Sequence, residues 1–174
     1  MTSRYTSREM MGHLLAGMMP ENREAVKLSM DYGMRIGDVL AMPYDVPDRA
    51  RYTYREEKTG KKRTVRLSEK HKATLRQFRR GAYCFPHRTD DNRHRCRQTV
   101  WADIKRISKA FRLRGISPHS ARKLYAVELY RKTGDMERVS RALNHDDPAV
   151  TALYALADLL TIDSLRNVKR SRRR

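Results

Sequence analysis

The chain has 174 residues, 39 of them Lys or Arg against 20 Asp or Glu, for a formal net charge of +19. Hydrophobic residues make up 39% and recur at helical or strand spacing, which excludes a disordered polyelectrolyte. No apolar run approaches the roughly 18 residues of a membrane span, and Met10 to Met19 lacks the cleavage site of a secretory leader. The expectation is therefore a single globular domain of residues 1–165 with a basic tail at 166–174, free of any membrane. Its two cysteines, Cys84 and Cys96, are too few for a stapled secreted scaffold, so they are expected to be reduced in the cytoplasm. An excess of positive charge this large points to a polyanionic partner, because neutralising phosphates releases counterions.

In chain order, Thr6 with Glu9 three residues on reads as a capping box, opening a helix with Met10, Leu14 and Leu15 on one face. Pro20 suits the first position of a second helix, and Gly33 is placed to close it. A short helix, Ile36 to Met42, is halted by Pro43. Arg51 to Glu57 and Lys61 to Leu67 then alternate, with Thr59-Gly60 as the turn of a β-hairpin. Ser68 caps a helix running to Gly81, Ala82 to Pro86 is a candidate third strand, and Arg88 to Arg95 reads as an exposed loop. Helical spacing returns from Gln98 to Leu113, with Val100, Trp101, Ile104, Ile107 and Phe111 as its stripe, and Trp101 is expected in the core. Ser117-Pro118 opens a helix that Gly134 closes, Asp135 caps the next, and Asn144 ends it. Asp147-Pro148 opens a last helix carrying Tyr154. The tail holds six basic residues, Arg166, Lys169, Arg170, Arg172, Arg173 and Arg174; it is expected to be disordered when free and to contact DNA phosphates. The fold class is α+β, mostly helical, with a small antiparallel hairpin on one side.

Chemistry-bearing residues sit at the element boundaries. They are Arg35 with Asp38, Lys58 at the hairpin tip, His119 and Arg122 in His119-Ser120-Ala121-Arg122, His145 in Leu143-Asn144-His145, and Tyr154. Phosphodiester transfer without a metal would need these types. Fixed guanidinium groups can donate paired hydrogen bonds to the non-bridging oxygens, and a tyrosine hydroxyl can hold the phosphoryl group covalently. A lysine can protonate the leaving oxygen, and imidazoles can handle the tyrosine proton. Taken singly, each residue has an ordinary reading as a surface cation, a helix cap or a core aromatic. Residue types alone reach only a basic DNA-binding domain. A zinc module built from Cys84, His87, His94 and Cys96 is disfavoured because the spacing leaves little room for tetrahedral ligation.

Order and spacing go further. Arg35, then Lys58 in a hairpin, His119-x-x-Arg122, His145 26 residues after His119, and Tyr154 nine residues later resemble the catalytic domain of the tyrosine recombinases, or phage integrases. The resemblance runs over about residues 5 to 160. It implies a site-specific DNA recombinase that needs no metal, ATP or other cofactor. Tyr154 would attack the scissile phosphate and form a 3′-phosphotyrosyl link. Arg35 and Arg122 would clamp the phosphate with His145, Lys58 would be the general acid, and His119 would accept the tyrosine proton. Asp38 would orient Arg35. The implied partners are double-stranded DNA, three further copies of the chain in a DNA-bound tetramer formed from free monomers, and accessory DNA-bending proteins. The implied setting is the nucleoid of a bacterial or phage-infected cell. Two positions depart from the family pattern: Ala121 stands for the usual Leu, and Asn144 for the usual Gly of Leu-Gly-His. Asn is the next-best residue for a left-handed helix end, so that geometry is expected to survive. Helices begin within ten residues of Met1, so the resemblance is to a short form without the N-terminal core-binding domain, for which the basic tail is expected to compensate in part. Residues 155–165 carry Leu156, Leu159, Leu160 and Ile162, which fit either a last core helix or a segment packing on a neighbouring protomer. The alternative function is a non-catalytic DNA-binding regulator that retains the fold.

Overall fold

The structure, a computed structural model, describes residues 6–144. The expected Tyr154 helix, the segment after it and the basic tail lie outside those residues, as does His145.

Local chemistry sets most of the boundaries. Helix α1 (Arg8–Ala16) is capped by Ser7, whose hydroxyl accepts from the Met10 N–H. The cap thus falls one residue after Thr6, and the buried face turns with it. Met11, Leu14 and Leu15 are inside, while Met10 is 38% exposed. Helix α2 (Pro20–Tyr32) starts at a proline, where the missing N–H has no intrahelical partner to lose, and ends at Gly33 with φ 63°. Helix α3 (Ile36–Leu40) follows, then a 3-10 turn at Val46–Asp48. Strands β1 (Tyr52–Arg55) and β2 (Lys62–Val65) pair antiparallel, with Tyr52 opposite Val65 and Arg55 opposite Lys62. Helices α4 (Glu69–Phe78), α5 (Arg97–Ala110), α6 (Pro118–Thr133) and α7 (Met136–Leu143) complete the described order. Ser68, Ser117 and Asp135 cap α4, α6 and α7 with their side-chain oxygens. The domain is mostly helical with a small two-stranded sheet, as expected.

Three expectations change. Residues 82–86 form no strand: Tyr83 and Pro86 make only isolated bridges, to Pro43, Arg80 and His94. Helix α4 stops at Phe78, before Gly81. Trp101 and Phe111 are 45% and 54% exposed rather than core. The buried stripe of α5 is Val100, Ile104 and Ile107. Trp101 lies one residue, about 100°, off that stripe, and the Lys105 ammonium stands 4.6 Å from its ring centroid.

Helix α2 is the organising element. It touches α1, α3, α4, α5 and α6, and is most extensively packed on α6. Accordingly it buries polar residues as well as apolar ones, among them Asn22 and Glu24. Gly33 at its end is obligatory on two counts. Its backbone is left-handed, and a Cβ there would stand 2.4 Å from Tyr125 Cδ1 on α6.

Glu24 and Asp31 of α2 hold His71 of α4 from both sides, at 2.5 Å from Nδ1 and 3.1 Å from Nε2. Burial alone would lower the imidazole pKa, but the Asp31 and Glu24 carboxylates raise it to about 9. A buried cation thereby links α2 to α4. Because the folded value lies above the ordinary one near 6.5, the linked stability is complete below pH ~6.5 and lost as pH rises through ~9. We expect Tm to fall between pH 7 and 9.5, and the His71→Gln variant, already less stable at pH 7, to lose most of that slope.

Candidate active site

The alternation of β1 continues past its last paired residue. Tyr52 and Tyr54 face the core, and the next inward position is Glu56, 1% exposed. An uncompensated carboxylate there would cost several kcal/mol. The fold surrounds it with donors from four places in the chain. Arg35, with extended backbone at the N-cap of α3, brings Nη1 to 2.5 Å from Glu56 Oε2. The Thr59 hydroxyl from the hairpin turn donates to Oε2 at 2.8 Å, and the Asn144 side-chain amide at the end of α7 donates to it at 3.3 Å. Oε1 faces Arg63 and Arg122 at 3.7 and 3.8 Å. Burial pushes the Glu56 pKa up, but the Thr59 hydroxyl and the Arg35 and Arg122 guanidinium groups outweigh it and hold the carboxyl below its ordinary range.

Arg122 projects from the first turns of α6, a helix fixed by the reciprocal Ser117 and Ser120 cap. It is 7% exposed. Its Nη1 donates to the Gly33 carbonyl at 2.8 Å and its Nη2 to the Leu143 carbonyl at 2.6 Å. Arg63 also donates to the Gly33 carbonyl, at 3.0 Å, and to that of Tyr32. The C-terminal ends of α2 and α7 thus aim carbonyl oxygens at the guanidinium groups, a favourable pole for cations. Burial, then Arg35 and Arg63, lower the Arg122 pKa to about 10, which leaves it charged at neutral pH.

Lys58 is exposed in the hairpin turn, next to the Thr59 that bonds Glu56. His119, one turn before Arg122, has a lowered pKa from partial desolvation and from the charges of Arg122, Lys58, Arg35 and Lys123. Desolvation and the neighbouring cations act in the same direction, and a neutral imidazole can accept a proton. Asp38 lies within electrostatic reach of Arg35 and Arg122, and it accepts a hydrogen bond from the hairpin. Its Oδ1 accepts from the Glu57 N–H at 3.0 Å, pinning the hairpin arm to α3. Burial, opposed by that hydrogen bond, raises its pKa. The carboxylate in contact with Arg35 is Glu56.

The fold therefore gathers Arg35, Arg122, Lys58 and His119 within one electrostatic neighbourhood, with Asp38 supporting the hairpin. His145, Tyr154 and the six tail cations lie outside the described residues. Glu56 and Arg63 were not singled out from the sequence. The signal for Glu56 was present, as a carboxylate on the inward phase of a strand whose other inward residues are tyrosines. Asn144 adopts φ 56°, the left-handed conformation expected of it, and Ala121 is fully buried. Among the described residues no group of three or more His, Cys, Asp or Glu side chains gathers as metal ligands would. Cys84 turns into the core and donates to the Pro43 carbonyl at 3.0 Å, its thiol pushed up to about 12 by burial. Both cysteines are free, and no described helix is long and apolar enough to cross a membrane.

The sequence matches the profile of the phage integrase family over residues 8–159. The chain belongs to that family, the tyrosine recombinases. A probable integrase/recombinase of Bacillus subtilis, YoeC, is 28% identical over 126 residues, 70% of this chain and 69% of the relative. Among solved structures, a lambda integrase dimer bound to a COC′ core site superposes with a TM-score of 0.73 at 19% identity, covering 89% of this chain and 48% of that one. The XerH recombinase in its pre-cleavage complex with difH gives 0.68 at 21%, covering 88% and 50%. The catalytic domain of bacteriophage HP1 integrase gives 0.63 at 16%, covering 88% of this chain and 87% of that domain. The integrase chain described here thus spans about half the length of the lambda and XerH chains, and its fold is that of the recombinase catalytic domain.

The left-handed backbone at Asn144 and its bond to Glu56 yield a graded expectation. Asn144→Ala should destabilise the domain by about 1–2 kcal/mol in urea titration, whereas Asn144→Gly, which tolerates this backbone, should cost less.

Proposed function

We propose that this integrase-family chain is a site-specific DNA recombinase that breaks and rejoins strands through a 3′-phosphotyrosyl intermediate. The observation that carries the reading is the convergence of two family-motif guanidinium groups, Arg35 and Arg122, on one buried carboxylate, with Lys58 and His119 beside them.

In this reading the Tyr154 oxygen forms a bond to the scissile phosphorus while the bond from phosphorus to the 5′ oxygen breaks. His119 takes the tyrosine proton, and Lys58 gives a proton to the departing 5′ oxygen. Arg35, Arg122 and His145 hold the non-bridging oxygens as their charge grows. In the second half the 5′ hydroxyl of a partner strand attacks phosphorus and releases Tyr154, so the phosphodiester bond energy is conserved and the sequence of steps calls on neither ATP nor a metal. Double-stranded DNA is the substrate, and a tetramer of this chain on two sites is the assembly. Some relatives bear on this: the lambda integrase structures include a dimer on a core site and a tetramer on a Holliday junction. The formal charge of +19 supplies the non-specific part of binding, and the tail cations Arg166, Lys169, Arg170, Arg172, Arg173 and Arg174 add phosphate contacts.

A nicked suicide duplex carrying the cognate site tests the chemistry. Wild type should form a covalent protein–DNA adduct on a denaturing gel, and Tyr154→Phe should form none while binding equally well. Arg35→Ala and Arg122→Ala should each slow cleavage by about 100-fold or more, well beyond their effect on affinity. Binding without any adduct from wild type would leave only a DNA-binding regulator. Removal of residues 166–174 should weaken binding and flatten its dependence on salt, measured as the slope of log affinity against log salt.

A further inference from the structure

We propose that Glu56 is a positioning residue of the integrase reaction: it fixes the Arg35 guanidinium and sets the hairpin turn and the end of α7 in register with it. The inference rests on the recombinase reading above and concerns a residue outside the family motif found in the sequence.

The Glu56 side chain contacts all three segments carrying the motif's outer members. Oε2 meets Arg35 at 2.5 Å, the Thr59 hydroxyl at 2.8 Å and the Asn144 amide at 3.3 Å. Thr59 directly follows Lys58, and Asn144 directly precedes His145. The carboxylate therefore sits one residue from the proposed general acid and one residue from a proposed phosphate ligand, while touching the proposed clamp itself. Asp38 ties the hairpin to α3 and Arg122 ties the end of α7 to Gly33 through backbone contacts, and Glu56 adds a direct side-chain contact from both segments to the Arg35 guanidinium.

Charge gives the second argument. Three guanidinium groups, Arg35, Arg63 and Arg122, crowd a site in which Arg35 and Arg63 both lower the Arg122 pKa. One buried carboxylate offsets part of that repulsion without cancelling it. Glu56 is fully enclosed, while the Arg35, Arg63 and Arg122 side chains keep 17%, 10% and 9% exposure, so the carboxylate is the innermost member of the cluster. Three guanidinium groups against one carboxylate leave a surplus of positive charge in the cluster. A neutral residue of the same shape would leave the three cations repelling one another and Arg35 free to swing.

The test separates positioning from folding and from the recombinase reading. Glu56→Gln preserves shape and removes the charge. With the full chain on the suicide duplex, the expected result is a circular dichroism spectrum of the folded domain and DNA Kd within about threefold of wild type. The single-turnover cleavage rate at saturating DNA should fall about 100-fold. In an Arg35→Ala background the same change should slow cleavage by clearly less than about 100-fold more, since the part of its effect that runs through Arg35 is already lost while the part through Thr59 and Asn144 remains. Wild-type-like cleavage by Glu56→Gln overturns the proposal, as does a parallel fall in binding and cleavage that follows the folded fraction. If Glu56→Gln does not fold, Glu56→Asp, which withdraws the charge by one methylene, should cleave about 10-fold more slowly at unchanged Kd. An arm independent of cleavage uses 15N-labelled arginine side chains. The Arg35 Nη1–H signal, which faces Glu56 Oε2, should be protected from solvent exchange in wild type and lose protection in the Glu56 variant, and unchanged protection overturns the proposal. Absence of an adduct from wild type would count against the recombinase reading alone, leaving the exchange measurement to decide the role of Glu56.

Discussion

The contact between the buried Glu56 carboxylate and the guanidinium groups around it is the constraint on which the rest of the site depends. Concentrating like charges at one place is unfavourable, and a protein that must do so has few options inside a low-dielectric environment. Here two devices share the task. One is the anion at the centre. The other is a set of backbone carbonyls, from Tyr32, Gly33 and Leu143, presented by the ends of α2 and α7. Both are fixed before any ligand arrives, which is the condition for electrostatic stabilisation of a charge that develops during reaction.

The secondary structure serves that arrangement directly. Gly33 ends α2 in a left-handed turn so that its carbonyl can accept from both Arg63 and Arg122, and Arg35 follows two residues later at the start of α3. Asn144 repeats the left-handed ending at α7 and adds a side-chain amide that a glycine could not supply. The Asn144 amide is thereby matched by its partner Glu56. Asp38 completes the frame by holding the Glu57 backbone, so that the strand leading to Lys58 is tied to the helix following Arg35. Further from the site, His71 with Glu24 and Asp31 joins α2 to α4 by a buried ion cluster, and Asp103 accepts from Met19 and Asn22 to join α5 to the start of α2. The central helix is anchored by polar contacts at both ends.

What could be read in advance follows from the range of the interactions involved. Pro20, Gly33, Ser68, Ser117, Gly134 and Asn144 mark helix ends through sterics and hydrogen bonds within a few residues, so their positions were legible. The shift from Thr6 to Ser7, the early end of α4 and the missing third strand were decided by packing that local propensity does not contain. Trp101 was misplaced because an aromatic ring near a helical stripe satisfies the same pattern whether it faces in or out. Only the neighbours of α5 set the rotation.

The amino-acid sequence by itself determined the helical class, the hairpin, the polyanion-seeking charge and the order of Arg35, Lys58, His119 and Arg122, because spacing and residue type are properties of the chain. The tertiary structure alone decided that Glu56 and Arg63 belong with them and that Asp38 accepts from the Glu57 backbone of the hairpin. Those relations join residues from 19 to 88 positions apart. An inward carboxylate has no visible partner until distant segments close around it.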